Sequence, residues 1–156
     1  MLIRIHTPAD YPGLAELRWL SGTADGQAVV GQDKAAFLER YHWHLSTSEL
    51  DGRTVHWVVE EDGALVAVMT VRIVAREPSP GQTSDAWGYL TNVYVLAGRR
   101  NRGLGTQLLA AVRSWAAERD LELLIVWPSE TSERFYRRAG FQGRAEPLVL
   151  PLADPG

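Results

Sequence analysis

The spacing of apolar residues changes several times along the chain, and each change predicts an element. Leu2, Ile3 and Ile5 make a short opening strand, and Thr7-Pro8-Ala9-Asp10 reads as a turn leading into a helix cap. The helix behind it runs to about Trp19, with Leu14, Leu17 and Trp19 among its apolar residues. Ser21 to Gly31 holds three glycines and little periodicity, so it is a loop. A second helix, Asp33 to Leu45, carries Phe37, Tyr41 and either His44 or Leu45 on one face. Val55 to Glu60 and Ala64 to Ala75 are apolar runs on either side of Glu61-Asp62-Gly63, and Asp-Gly between such runs predicts an antiparallel hairpin.

After a loop at Pro78, Pro80 and Gly81, Trp87 opens the next strand. Leu104, Leu108, Ala111 and Trp115, with Leu109, Val112 and Ala116 beside them, form a broad stripe suited to a helix lying flat on a sheet. Leu121 to Trp127 is nearly unbroken in its apolar character, as a central parallel strand covered on both faces would be. Strand, helix and strand then make a right-handed βαβ crossover. Ser129 to Arg138 reads as a short helix, Phe141 and Leu148 to Leu152 as closing strands, and Ala153 to Gly156 as a frayed end. The order β, α, α, β, β, β, α, β, α, β predicts an α/β fold: a mixed sheet, antiparallel in its N-terminal half and parallel in its C-terminal half, flanked by helices.

The chemistry concentrates in Leu90 to Leu109, where an apolar strand ends in a turn with Gly98, Arg99, Arg100 and Arg102, and a helix starts behind Gly103 and Gly105. The first amides of a helix lack intrahelical partners and sit at the positive end of its dipole, so an anion fits there. Written as Arg100-x-x-Gly103-x-Gly105, the turn resembles the acetyl-CoA pyrophosphate loop of the GCN5-related N-acetyltransferase (GNAT) family. Ser129 to Phe141 resembles that family's segment in which a helix carries a tyrosine, here Tyr136, before a Gly-Phe pair, here Gly140-Phe141. The two motifs come in the family's order and spacing.

The resemblance implies acetyl-CoA as co-substrate and transfer of its acetyl group to a primary amine by direct attack in a ternary complex. It implies that the turn and helix start, Arg100, Asn101, Arg102, Gly103, Leu104, Gly105 and Thr106, hold the pyrophosphate. Val93 and Val95 would offer backbone hydrogen bonds to the pantetheine arm, and Tyr136 would protonate the departing thiolate. The two N-terminal helices and their loop would line the acceptor end. The chain departs from the family in three places. Ser129 replaces an asparagine facing the cofactor, Ala97-Gly98 replaces a proline after the strand, and Thr91-Asn92 stands where many members carry a glutamate base. Candidates for the base are Glu130, His42, His44 and a water held by Thr91 or Asn92. The acceptor, a small-molecule or peptide amine, stays open, as does a homodimer.

Composition narrows the rest. A chain of 156 residues accommodates one domain, 1–156, with the cofactor core at about 87–141. The net charge of −3 gives no general attraction to nucleic acid or to a membrane surface. Lys34 is the only lysine, so the arginine bias is compositional and single arginines weigh less. The chain has no cysteine, no leader-like N-terminus and no apolar stretch of membrane length, and it is placed in the cytoplasm. His42 and His44 fall on different faces of their helix, which argues against a metal pair, and no metal is expected in the protein. Two other readings are a catalytically silent acyl-CoA-binding or regulatory domain and a nucleotide-binding domain. Against the latter, Leu108 occupies the place of a third Rossmann glycine.

Overall fold

Every pair of neighbours in the sheet is also a pair of consecutive strands in the chain. The computed structural model describes residues 1–27, 30–143, 148 and 150–152. Strands β1 (Leu2–Ile5), β2 (Thr54–Glu61), β3 (Ala64–Ala75), β4 (Ala86–Val95) and β5 (Leu124–Val126) lie side by side in that order. The first three pairings are antiparallel and β4 to β5 is parallel. The β2–β3 hairpin turns at Asp62 and Gly63, both at positive φ (50° and 77°), the backbone that matches the twist of the flanking strands.

Helices α1 (Tyr11–Gly22) and α2 (Lys34–Ser48) precede β2, α3 (Leu104–Glu118) joins β4 to β5, and α4 (Glu133–Arg138) follows. Strand alternation divides the core between two faces. Val58, Val68 and Tyr94 pack with Leu14, Leu17 and Leu45 of α1 and α2. Val59, Ala67, Met69, Val71 and Leu90 pack with Leu108, Val112 and Trp115 of α3. The stripe on α3 thus covers the sheet as its spacing predicts. On α2 it is Leu45 that is buried, and His44 is exposed. Both N-terminal helices outrun the expected ends, and Asp33 caps α2 by accepting from the Ala36 amide at 3.3 Å.

Three expectations need correction. The run Leu121 to Trp127 supplies only three strand residues, all half-buried, at an edge of the described sheet; Glu122, Leu123 and Trp127 are exposed. Apolar composition there reflects contact with one layer, since the Leu121 amide still bonds to Ala116 at the end of α3 (3.0 Å). The last helix begins at Glu133, because Ser129 to Ser132 form a turn in which the Ser132 amide donates to the Ser129 carbonyl at 3.0 Å. Phe141 closes α4 by donating its amide to the Tyr136 carbonyl (3.0 Å) and belongs to no strand. Of the expected strand at Leu148 to Leu152, the described residues are not extended into one; residue 149, like 28, 29, 144–147 and the expected frayed end 153–156, lies outside the described residues. Among the described residues no helix is long and apolar enough to cross a membrane.

The N-terminal edge is tied by Arg4, which donates to both oxygens of Asp10 (2.7 and 2.9 Å) and to Glu60 (2.7 and 3.1 Å). These hydrogen bonds, with that of the Thr7 amide, hold the Asp10 carboxyl down to about 2 against the effect of burial. A carboxyl depressed in the folded state contributes stability above its unfolded pKa near ~3.9 and loses it as pH falls through about 2. Asp10→Asn is expected to cost about 1–3 kcal/mol at pH 7 and to flatten the acid limb of stability between pH ~4 and ~2. Urea unfolding at a series of pH values measures this; an unchanged acid limb would remove Asp10 as its source.

Candidate active site

β4 and β5 start as partners and then part. Their last pair is Leu90 with Val126, while β4 continues to Val95. The Leu96 amide donates to Val66 on β3 at 2.9 Å, so alternation turns the backbone groups of Val93 and Val95 to the other edge, where β5 has ended. Upstream, Gly88 allows the two strands to meet: a β-carbon there would lie 2.7 Å from the Leu124 side chain.

β4 is also bulged. Its register against β3 slips between Val68 and Thr70, and the extra residue Asn92 takes φ 48°. The bulge aims Asn92 at the helical layer, where its amide donates to Tyr41 Oη (3.3 Å) and Thr70 Oγ1 (3.4 Å) and its oxygen accepts from Arg18 (3.5 Å).

The parting strands leave a cleft of about 570 Å³. At one end stands the start of α3. Gly103 precedes the helix at φ 75°, a left-handed conformation in which a side chain is strained. The first intrahelical bond runs from the Gln107 amide to the Gly103 carbonyl (3.0 Å), so the amides of Leu104, Gly105 and Thr106 have no helical carbonyl to meet. Leu104 is buried in the core and fixes that end, while Gly105 faces the cleft.

Of the residues expected at the site, Val93, Val95, Arg100, Asn101, Gly105, Ser129 and Tyr136 line the cleft. Arg102, Gly103 and Thr106 are exposed around the helix start. Tyr136 is 4% exposed, wedged edge-on between Phe135 (5.0 Å) and Phe141 (5.3 Å), and burial pushes its hydroxyl pKa upward. It therefore holds its proton throughout the neutral range. Ser129 Oγ bonds within its own turn, to Ser132 Oγ at 2.9 Å. Among the candidate bases, Thr91 and Asn92 line the cleft. Glu130, His42 and His44 are exposed and not among its lining residues; Glu130 lies between Ser129 and Thr131, which do line it, and His44 is stacked on Tyr41 at 5.5 Å.

Arg100 has a second engagement that the sequence did not signal. Its guanidinium donates twice to Asp25 in the α1–α2 loop (3.0 and 2.6 Å), its Nε donates to the Val95 carbonyl (3.0 Å), and it lies 5.4 Å over the Tyr94 ring. Tyr94 also donates to Asp25 at 2.7 Å. Hydrogen bonds from Arg100 and then Tyr94 lower the Asp25 pKa; burial and then Asp25 push the Tyr94 hydroxyl up to about 12. In this arrangement Arg100 fastens the α1–α2 loop to the turn that precedes α3. Asp25, followed by Gly26, reads in the sequence as ordinary turn chemistry.

A separate hollow of about 730 Å³ lies under the Gly81 to Ser84 loop. Arg76 pairs with Glu122 there, Asp120 also lines it, and its helical lining comes from the end of α3 and not from a helix start.

A family model described as the Acetyltransferase (GNAT) family matches residues 13–141 of the chain. The protein belongs to the GNAT acetyltransferases, and is thus an acyltransferase. Its fold is that of a predicted acetyltransferase from Clostridium acetobutylicum solved with acetyl-CoA (22% identity, 97% of this chain and 96% of that one, TM-score 0.76). A GCN5-related N-acetyltransferase from Ralstonia eutropha is similar at 25% identity, with 97% of each chain covered and a TM-score of 0.76. An aminoglycoside 6'-N-acetyltransferase from Acinetobacter haemolyticus is similar at 20% identity, covering 98% of this chain and 99% of that one, with a TM-score of 0.69. No curated protein sequence matches the chain.

Proposed function

We propose that the protein transfers the acetyl group of acetyl-CoA to a primary amine of a small molecule, by direct attack in a ternary complex seated between β4 and β5. The observation that carries this reading is the convergence on one cleft of a helix start, a stretch of β4 edge with no partner strand among the described residues, and Tyr136. The amides of Leu104, Gly105 and Thr106 suit a pyrophosphate, and the outward edge of Val93 and Val95 suits an amide-bearing arm. In the transfer the amine nitrogen bonds to the thioester carbon, the carbon–sulfur bond breaks, and the thiolate takes a proton from Tyr136. A backbone amide near Val93 is placed to stabilise negative charge on the carbonyl oxygen. The amine proton passes to water held at Thr91 and Asn92.

Acceptor chemistry follows from what faces the bulge. Trp19, Phe37 and Tyr41 form an aromatic row with centroids 5.5 and 5.8 Å apart, and Tyr41 reaches Asn92. A flat or cyclic amine suits such a row, in keeping with the aminoglycoside acceptor of the Acinetobacter relative.

Acetyl-CoA at a hundredfold excess over its dissociation constant is expected to add ~2.7 kcal/mol of stability, read as a rise in melting temperature. A panel of aminoglycoside, amino-sugar, polyamine and peptide amines, assayed by thiol release, then tests transfer. Stabilisation by acetyl-CoA without transfer to any amine would make the protein a silent acyl-CoA binder. No stabilisation at millimolar acetyl-CoA would overturn the assignment of the cleft.

A further inference from the structure

Away from the cleft, three residues distant in the chain bring their side chains to one point. His6 follows β1, Glu49 ends α2, and His56 lies in β2. His6 Nε2 stands 2.5 Å and His56 Nε2 3.6 Å from the same oxygen, Glu49 Oε1, and the three ligand atoms lie within 4.8 Å of one another. We propose that His6, Glu49 and His56 form a binding site for one divalent transition-metal ion of the Zn²⁺ class.

The argument rests on where the hydrogens go. His6 Nδ1 is 3.2 Å from the His56 carbonyl, which can only accept, so Nδ1 carries the hydrogen. In a neutral ring that leaves a lone pair on Nε2, facing a carboxylate oxygen. Two lone pairs at 2.5 Å require a hydrogen or a metal cation between them. His56 Nδ1 is 2.7 Å from Thr70 Oγ1, a hydroxyl that can accept from it, while its Nε2 is buried without a hydrogen-bond partner among the described residues. Glu49 Oε1 is likewise buried and without one. The exposures are 2% for the His56 side chain and 7% for His6, so these atoms do not turn to solvent instead.

Both imidazoles thus use Nδ1 on an oxygen and point Nε2 at the shared carboxylate, the outer-sphere arrangement that orients metal-ligating histidines. Tyr11 Oη supports the third ligand by donating to Glu49 Oε2 at 2.8 Å. Two histidines and one carboxylate are a set that zinc accepts, with a fourth position left to water. Bonds of ~2.0–2.1 Å place tetrahedral ligand atoms a little over ~3 Å apart, so an ion would draw together ligand atoms that lie within 4.8 Å of one another and part Glu49 Oε1 from His6 Nε2. Glu49, 21% exposed, is the side from which an ion enters.

The competing cation is a proton on His6, which would make the cluster a simple ion pair. Chelator-treated protein titrated with Zn²⁺, and with Mg²⁺ as control, separates them. Expected are one Zn²⁺ bound per chain, a rise in melting temperature with Zn²⁺ alone, and affinity lowered by more than about 100-fold in Glu49→Gln. Tyr11→Phe keeps the ring and removes only the outer hydrogen bond, and should weaken Zn²⁺ by about 10–100-fold. The proposal is overturned if Zn²⁺ stabilises no more than Mg²⁺, or if folded Glu49→Gln and Tyr11→Phe bind Zn²⁺ as the parent does. These readouts are independent of acetyl transfer, so the result stands whatever the acceptor.

Discussion

Tyr136→Phe is expected to slow the acyl-transfer step by about 10²–10⁴-fold, the usual range for losing a general acid, with acetyl-CoA affinity nearly unchanged. The ring that packs between Phe135 and Phe141 is retained, so the fold should survive. Burial raises the hydroxyl pKa, which makes it a weaker acid but ensures that it is protonated when the thiolate departs. The deficit should shrink with an acyl donor whose thiol is a better leaving group, because a weaker base needs less protonation. Single-turnover rates and melting temperature taken on one preparation separate the roles. A purely structural tyrosine would lower stability and leave the turnover of folded protein intact; full activity in a folded Tyr136→Phe protein would leave water as the donor.

Gly105→Val and Gly103→Val are expected to weaken acetyl-CoA binding by about 100-fold or more, equivalent to losing two charge-assisted hydrogen bonds at ~1.5–3 kcal/mol each. At Gly105 a β-carbon would sit 3.5 Å from the Phe135 ring, an ordinary contact, so the protein itself has room. Valine is no worse than glycine inside a helix, and stability should change by less than ~1 kcal/mol. Its methyls would instead occupy the cleft over the helix amides. At Gly103 the positive φ of 75° adds backbone strain, so this variant should lose some stability as well. Calorimetric dissociation constants beside melting temperatures test the contrast. Normal binding by both variants would place the phosphates elsewhere.

What could be seen in the sequence was what is local. The Asp62-Gly63 hairpin, the α3 stripe and the glycine turn are each specified within about twenty residues, by spacing and by turn chemistry. β5 was overdrawn because an apolar run records contact with a hydrophobic layer, and does not say whether another strand lies beyond it. The bulge at Asn92 leaves no mark in composition, since its positive φ is imposed by pairing with β3. Asp25 was missed for a related reason: its meaning comes from Arg100, which is 75 residues away. His6, Glu49 and His56 carry no spacing rule at all, and only the packing of α2 against β1 and β2 assembles them.

The meeting of β4 and β5 through three residue pairs has a consequence for how the molecule yields. β3 is bonded along both edges and holds Val68, Met69 and Val71 without exposure, so its amides open to solvent only when the whole fold does. β5 is short, half-buried and paired on one side among the described residues, so with α4 it can lift at a lower free energy. The softest seam therefore runs along the very wall that separates Val93 from Trp127. A ligand spanning that seam acts as a splint: it gains affinity by closing a gap that the chain leaves open, and the chain gains cooperativity between two halves that are otherwise loosely stitched.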